Sequence, residues 1–215
     1  MIFQLFEVIM HIDKYLQILV NQYSVATYII LFLIIFFETG IVLAPFLPGD
    51  SLLFAAGALA ATGSFNVVFL FLIITLASII GDTVNYHIGK FGGPKIFTKE
   101  SSLFFRRDYL IRAQEFYEKN GKKTIILARF IPIIRTFAPF VAGIGTMSYF
   151  VFLMYNIIGA VLWSALFIFG GFLFGNISWI RERFGLFIII VIVISLTPLI
   201  KEIIAMVIAK RKNSN

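Results

Sequence analysis

Four charged side chains lie where charge is costly. Glu38 follows the apolar run 24–37, Asp50 ends the stretch Ala44-Pro45-Phe46-Leu47-Pro48-Gly49-Asp50, and Arg129 and Arg135 flank Pro132. Charges at membrane depth cost at least ~2.5–3.5 kcal/mol each on insertion scales, so they normally line a polar cavity or pair with one another. Two guanidiniums either side of a helix break can hold a phosphate through bidentate hydrogen bonds, helped by a half-helix N-terminus. Two carboxylates there can exchange protons, because desolvation favours the neutral acid while a neighbouring arginine favours the anion. The set therefore suits an anion site coupled to protons. It equally suits Glu38 and Asp50 as plain counter-charges that neutralise Arg129 and Arg135. Both readings can hold together, since a phosphate can compete for the arginines once the carboxylates are protonated.

Other residues signal less. Pro45, Pro48, Gly49, Pro132 and Pro139 lie in the same two broken segments and suit shaping the backbone better than touching a substrate. Asp82 sits inside an apolar run with Asn85 and Tyr86 on nearby faces, which reads as a polar contact between helices rather than a reacting group. Asn156, Gly159 and Trp163, at steps of three and four, mark one helix face, for which close packing is the plainer reading. His87 near a helix end reads as interfacial. With no cysteine and only His11 and His87, no metal or cofactor is expected.

The elements that carry these residues must be membrane helices. Of 215 residues 60% are hydrophobic and 13% charged, against roughly 45–50% apolar and about 25% charged in an ordinary soluble domain. No Asp, Glu, Lys or Arg occurs from Ser51 to Gly81, nor from Thr136 to Ile180. A helical crossing needs about 20 apolar residues, so an all-α polytopic membrane protein, one membrane domain over 1–215, is expected. The net charge of +7 then reads as basic cytoplasmic loops rather than as nucleic-acid binding.

Residues 1–23 place Gln4, Glu7, His11, Lys14, Gln17 and Asn21 in one stripe. They read as an amphipathic helix at the membrane surface or an oblique crossing, and not as a signal peptide. The 24–63 stretch reads as a re-entrant hairpin, because its second arm reaches only about 20 Å at 1.5 Å per residue and falls short of a ~30 Å hydrocarbon core. A crossing is expected at 65–88. The 90–123 segment, with nine basic residues against four acidic, belongs in the cytoplasm. Within it 109–120 favours helix, with Gly121 as a stop. Residues 124–147 form a second broken hairpin, 148–175 and 184–209 further crossings, and Lys210-Arg211-Lys212 a cytoplasmic C-terminus. The 176–183 loop then faces out.

The two halves look related: each has a proline-broken hairpin and then a crossing, and Ile80-Gly81 with Gly92-Gly93 recurs as Ile158-Gly159 with Gly170-Gly171. With the first hairpin outside and the second inside, this is an inverted-topology repeat, the arrangement in which many transporters hold a midplane site.

Several ordered motifs, taken together, resemble the DedA family of bacterial inner-membrane proteins, close to the DedA subgroup itself. They are Phe37-Glu38, then Pro45-Phe-Leu-Pro48-Gly49-Asp50-Ser-Leu-Leu, then Gly81-Asp82-x-x-Asn-Tyr86-x-x-Gly89. Ala128-Arg129-Phe-x-Pro132-x-x-Arg135-x-x-x-Pro139-x-x-Ala-Gly143 and Asn156-x-x-Gly159-x-x-x-Trp163 follow. The resemblance covers nearly the whole chain. It implies membership of the wider VTT superfamily, which includes lipid scramblases of the endoplasmic reticulum, and an association with undecaprenyl phosphate recycling driven by the proton motive force. The family's essential acidic and basic residues fall here on Glu38, Asp50, Arg129 and Arg135.

The expected function is a lipid transporter or flippase rather than an enzyme. It would move a phosphate-headed lipid, undecaprenyl phosphate first and a phospholipid such as phosphatidylethanolamine as the alternative, across the cytoplasmic membrane. Its partners would be that lipid and protons, with self-assembly left open. Arg129 and Arg135 would hold the head group while Glu38 and Asp50 couple to protons. A lipid phosphatase is the rival from another class, but no histidine lies near the arginines and no aspartates cluster for Mg²⁺. A proton-coupled cation or drug exporter is a second rival, for which paired arginines make a poor cavity lining.

Overall fold

The computed structural model describes residues 24–41, 49–96, 107–145, 147–179 and 190. Every element among them is helical: α1 (Ser24–Gly40), α2 (Gly49–Ala61), α3 (Val67–Ile96), α4 (Arg107–Asn120), α5 (Thr124–Leu127), α6 (Pro132–Ile144) and α7 (Tyr149–Gly175). Short 3-10 turns, Gly121–Lys123 and Ala128–Phe130, bracket α5. The 1–23 segment, the 184–209 crossing apart from residue 190, and the 45–48 tip of the first hairpin lie outside the described residues.

Local sequence sets the boundaries. Gly121 adopts a positive φ of 58°, the left-handed conformation that glycine supplies at a helix end without a Cβ clash. Ile131 is extended, with φ −121° and ψ 105°, because the ring of the following proline disfavours helical geometry there. Pro132 then takes the first turn of α6, where its missing N–H costs nothing. Helix α3 runs on to Ile96, beyond the expected end at residue 88 and into the basic segment. Gly89 is part of the reason: a Cβ on it would lie 2.2 Å from the Phe140 carbonyl oxygen, so that position binds α3 closely to α6 instead of ending the helix.

Two stretches, Val67–Gly92 and Tyr149–Gly175, are long and apolar enough to cross a membrane. Their faces are arranged for lipid. On α3 the exposed side carries Phe69, Leu72, Leu76 and Ile80, while Thr75, Ser78, Asp82 and Asn85 are buried. On α7 Phe150, Met154, Leu162 and Leu166 are exposed, and Asn156, Trp163 and Ser164 are buried. Water would penalise that polarity. Hydrocarbon favours it, since it hides every polar group it cannot solvate.

The chain divides into two compact units. One is described over 25–41, 68–96, 107–145 and 147–166. Its amphipathic α4 packs Ala113 and Tyr117 on Phe137, Phe140 and Val141 of α6. Tyr86 stacks on Phe152, with centroids 4.5 Å apart, and its hydroxyl donates to the Met147 carbonyl at 2.7 Å. The other unit is described over 24, 49–67, 167–179 and 190, where Gly57 and Gly171 bring α2 and the end of α7 together so closely that a Cβ on either would strike the opposing backbone. Small residues do this work in membranes, where lipid tails offer helices no hydrophobic reason to associate.

Candidate functional site

Arg135 lies in the first turn of α6 and Glu38 in the last turn of α1. A carboxylate at a helix C-terminus faces the negative end of the dipole, so Glu38 needs a cation. Arg135 supplies it: Nη2 donates to Oε1 at 2.5 Å, with both side chains buried. The Arg135 guanidinium also lies over the Trp163 ring of α7, 4.7 Å from its centroid, a cation–π contact that strengthens on desolvation.

Arg129 sits in the 3-10 turn just before the break and is only 3% exposed. Its Nη1 donates to Ser78 Oγ, and its Nη2 donates to Asp82 Oδ2 and to Asn156 Oδ1. Asn156 Nδ2 in turn donates to the Ile79 carbonyl at 3.1 Å, which fixes the amide that receives Arg129. Gly159 leaves room for the arm: a Cβ there would lie 2.9 Å from Arg129 Cδ and Nε. Nε is buried with no hydrogen-bond partner among the described residues.

Asn85 ties the two arginine sites to one frame. Its Nδ2 donates to Thr39 O at the end of α1 (3.1 Å) and to Thr136 O in α6 (2.8 Å). Thr136 lies in the turn that Pro139 disturbs, because a proline at that position leaves the Arg135 carbonyl without its intrahelical donor. Gly40 and Gly81 let α1 and α3 cross closely beside Asn85.

The residues singled out from sequence thus group as follows. Glu38, Arg135 and Trp163 meet, and so do Asp82, Arg129 and Asn156. The partner of Arg129 is a correction: the sequence reading offered it Glu38 or Asp50, and the structure gives it Asp82. The reason is geometric, since Asp82 lies on the buried face of α3 that the 128–130 turn packs against. Asp50 stands half-buried in the first turn of α2, in the other unit, and Gly49 is the buried first residue of that helix. Pro139 is buried within α6 and Pro132 opens it. Tyr86 serves packing and the Met147 contact. Ser78 and Asn85 were missed as members of the site, although Thr75, Ser78, Asp82 and Asn85 recur at steps of three, four and three along one face of a crossing helix. Among the described residues no group of His, Cys, Asp and Glu could hold a metal ion.

Two buried arginines, each on a carboxylate brought by another helix, form a site of balanced charge. Such a site can take an anion when a carboxylate is neutralised or swings away.

The sequence profile of the VTT domain matches residues 47–173. The chain is 53% identical over 206 residues to the protein DedA of Escherichia coli K12, covering 95% of this chain and 94% of that protein. It is 41% identical over 165 residues to an uncharacterized membrane protein of Mycobacterium leprae, covering 77% and 74% respectively. The inner membrane protein YqjA of Escherichia coli K12 is 32% identical over 149 residues, covering 69% and 68%. No solved structure matches the chain.

Proposed function

Because the chain belongs to the DedA family of VTT-domain membrane proteins, we propose that it is a transporter that moves a phosphate-headed lipid across the bacterial cytoplasmic membrane. Undecaprenyl phosphate is the leading substrate and a phospholipid such as phosphatidylethanolamine the alternative. The observation that carries this reading is the pair of buried guanidiniums, Arg129 and Arg135, at a broken membrane element, each neutralised by a carboxylate from a different helix. A head group needs such a site to leave water, while the tails can remain in the bilayer against the apolar faces of α3 and α7. Glu38, already on Arg135, and Asp50 are the carboxylates assigned to proton coupling. On this reading the protein acts as a carrier rather than as an enzyme. The inverted repeat inferred from sequence would let the two halves open the site alternately to either leaflet.

The test is reconstitution of the purified chain in vesicles with undecaprenyl phosphate, phosphatidylethanolamine and a phosphate-free isoprenoid alcohol, following the accessible fraction of each. Transport of a phosphate-headed lipid and not of the alcohol is expected. Arg135→Lys keeps the charge but loses the planar fork, so it should slow transport at least tenfold while the protein still folds. Equal transport of the alcohol, or release of inorganic phosphate, would replace this reading with another.

A further inference from the structure

We infer that Asp82 is a proton-binding residue of the transport site, and that its protonation frees Arg129 for the lipid phosphate without displacing the arginine. This rests on the transport reading above and adds to it a titrating group on α3.

Charge balance comes first. Arg129 with Asp82 and Arg135 with Glu38 form two buried pairs of zero net charge, so a phosphate monoanion entering them would leave one uncompensated negative charge in a low-dielectric setting. Uptake of one proton by a carboxylate removes that deficit. The proton goes onto an Asp82 carboxyl oxygen, no bond in the lipid changes, and both guanidiniums keep their charge.

The hydrogen bonds then distinguish Asp82. Neutralising a carboxylate ordinarily lets its arginine drift. Arg129 has two further acceptors, Ser78 Oγ on Nη1 and Asn156 Oδ1 on Nη2, both neutral at every pH in question. A protonated Asp82 therefore leaves Arg129 aimed as before with its charge unspent, which is the preorganised state an incoming phosphate needs. The groups that face Asp82 are few. Arg129 comes from the 3-10 turn, Asn156 from α7 is neutral, and Arg135 on α6 is near enough for its charge to act on Asp82, with Glu38 of α1 beyond it. Tyr86 and His87 lie one turn further along α3 itself.

Two buried hydroxyls lie on the same helix face as Asp82. Thr75 and Ser78 precede it at steps of three and four, about 10 Å of helix in all at 1.5 Å per residue, and both are buried. Thr75 Oγ1 has no hydrogen-bond partner among the described residues, and neither has Ser164 Oγ on α7. Ile79 pairs with Asn156 and Tyr86 with Phe152, so the two helices run antiparallel and Thr75 falls within about a turn of the level of Ser164. Buried hydroxyls that lack partners are the places where ordered water completes a hydrogen-bond chain. With the 90–123 segment in the cytoplasm, Thr75 lies on the outer side of Asp82, where the proton motive force delivers protons.

The experiment measures binding of farnesyl phosphate to the purified full chain in detergent from pH 5.5 to 8, together with the protons taken up per ligand in buffers of different ionisation enthalpy. In the wild type, binding should tighten as pH falls, by about tenfold per pH unit for each linked proton over its titration range. In Asp82→Asn the slope and the proton uptake should both fall by about one proton. A slope and uptake equal to the wild type overturn the inference, and with it any role for Asp82 beyond that of counter-charge. Should Asp82→Asn melt too early to purify, Asp82→Glu keeps the carboxyl and is expected to shift the midpoint of the pH profile; an unshifted midpoint overturns the inference equally. A wild-type chain that binds no phosphate-headed probe at any pH counts against the transport reading itself, whereas normal binding with an indifferent Asp82 removes only this residue from it.

Discussion

Gly159 decides whether Arg129 can lie where it does. The arm of Arg129 passes over the bare Cα, and its guanidinium is pinned at the far end by Ser78, Asp82 and Asn156. A methyl group at 159 would meet Cδ and Nε at 2.9 Å, and the pinned head leaves the arm little room to yield. Gly159→Ala should therefore cost about 1–3 kcal/mol of stability, the usual range for overpacking, and should depress transport more than a mutation of equal stability cost elsewhere. Gly170→Ala is the matched control, since its added carbon would meet the Phe54 ring at an ordinary 3.5 Å. Thermal melting and vesicle transport on both variants check the difference. Glu38, Arg129 and Arg135 were legible from sequence, because an ionised group in an apolar run has no cheap explanation. Their pairing was not. Asp82 was read as a polar contact between helices and makes one with Arg129, but spacing along the chain does not say which helix face will meet the 128–130 turn, so its partner was not legible and Ser78 gave no signal.

At the scale of elements, α3 and α6 are joined through backbone approach rather than side-chain bulk. A Cβ on Gly143 would lie 2.0 Å from the Tyr86 carbonyl oxygen, and one on Gly89 would lie 2.2 Å from that of Phe140. Neither obstacle can rotate away. Gly143→Ala should push the helices apart and pull Asn85 from the Thr136 carbonyl, lowering the melting temperature by several degrees, on the scale of about 2–4 °C per kcal/mol for chains of 150–250 residues. Melting in detergent, with Gly63→Ala in the 62–66 turn as a variant that meets no neighbour, separates helix contact from backbone strain at φ 85°. The order of helices was largely legible, since the proline and glycine breaks and the apolar lengths speak for themselves. The end of α3 was not. The expected crossing closes at residue 88, just before the basic segment 90–123 begins, but a helix leaving the hydrocarbon can continue in water when its neighbour still packs on it.

Over the whole molecule, charge is distributed to orient the chain. By the positive-inside rule, α4, with Arg112 and Lys119, is expected in the cytoplasm and residues 176–183 outside. The chain has no native thiol, so single cysteines report directly. Lys119→Cys should resist membrane-impermeant maleimide in intact cells and react after permeabilisation, and Ser178→Cys should react before it; the reverse pattern would invert the orientation. A last consequence lies in the Arg135–Trp163 contact. The protein has two tryptophans, and with Trp179 replaced by phenylalanine every emitted indole photon would come from the ring beneath that guanidinium. The protein would then be its own spectrometer: an anion arriving at Arg135 would alter the field on the excited indole, and filling of the site could be followed in real time without a label.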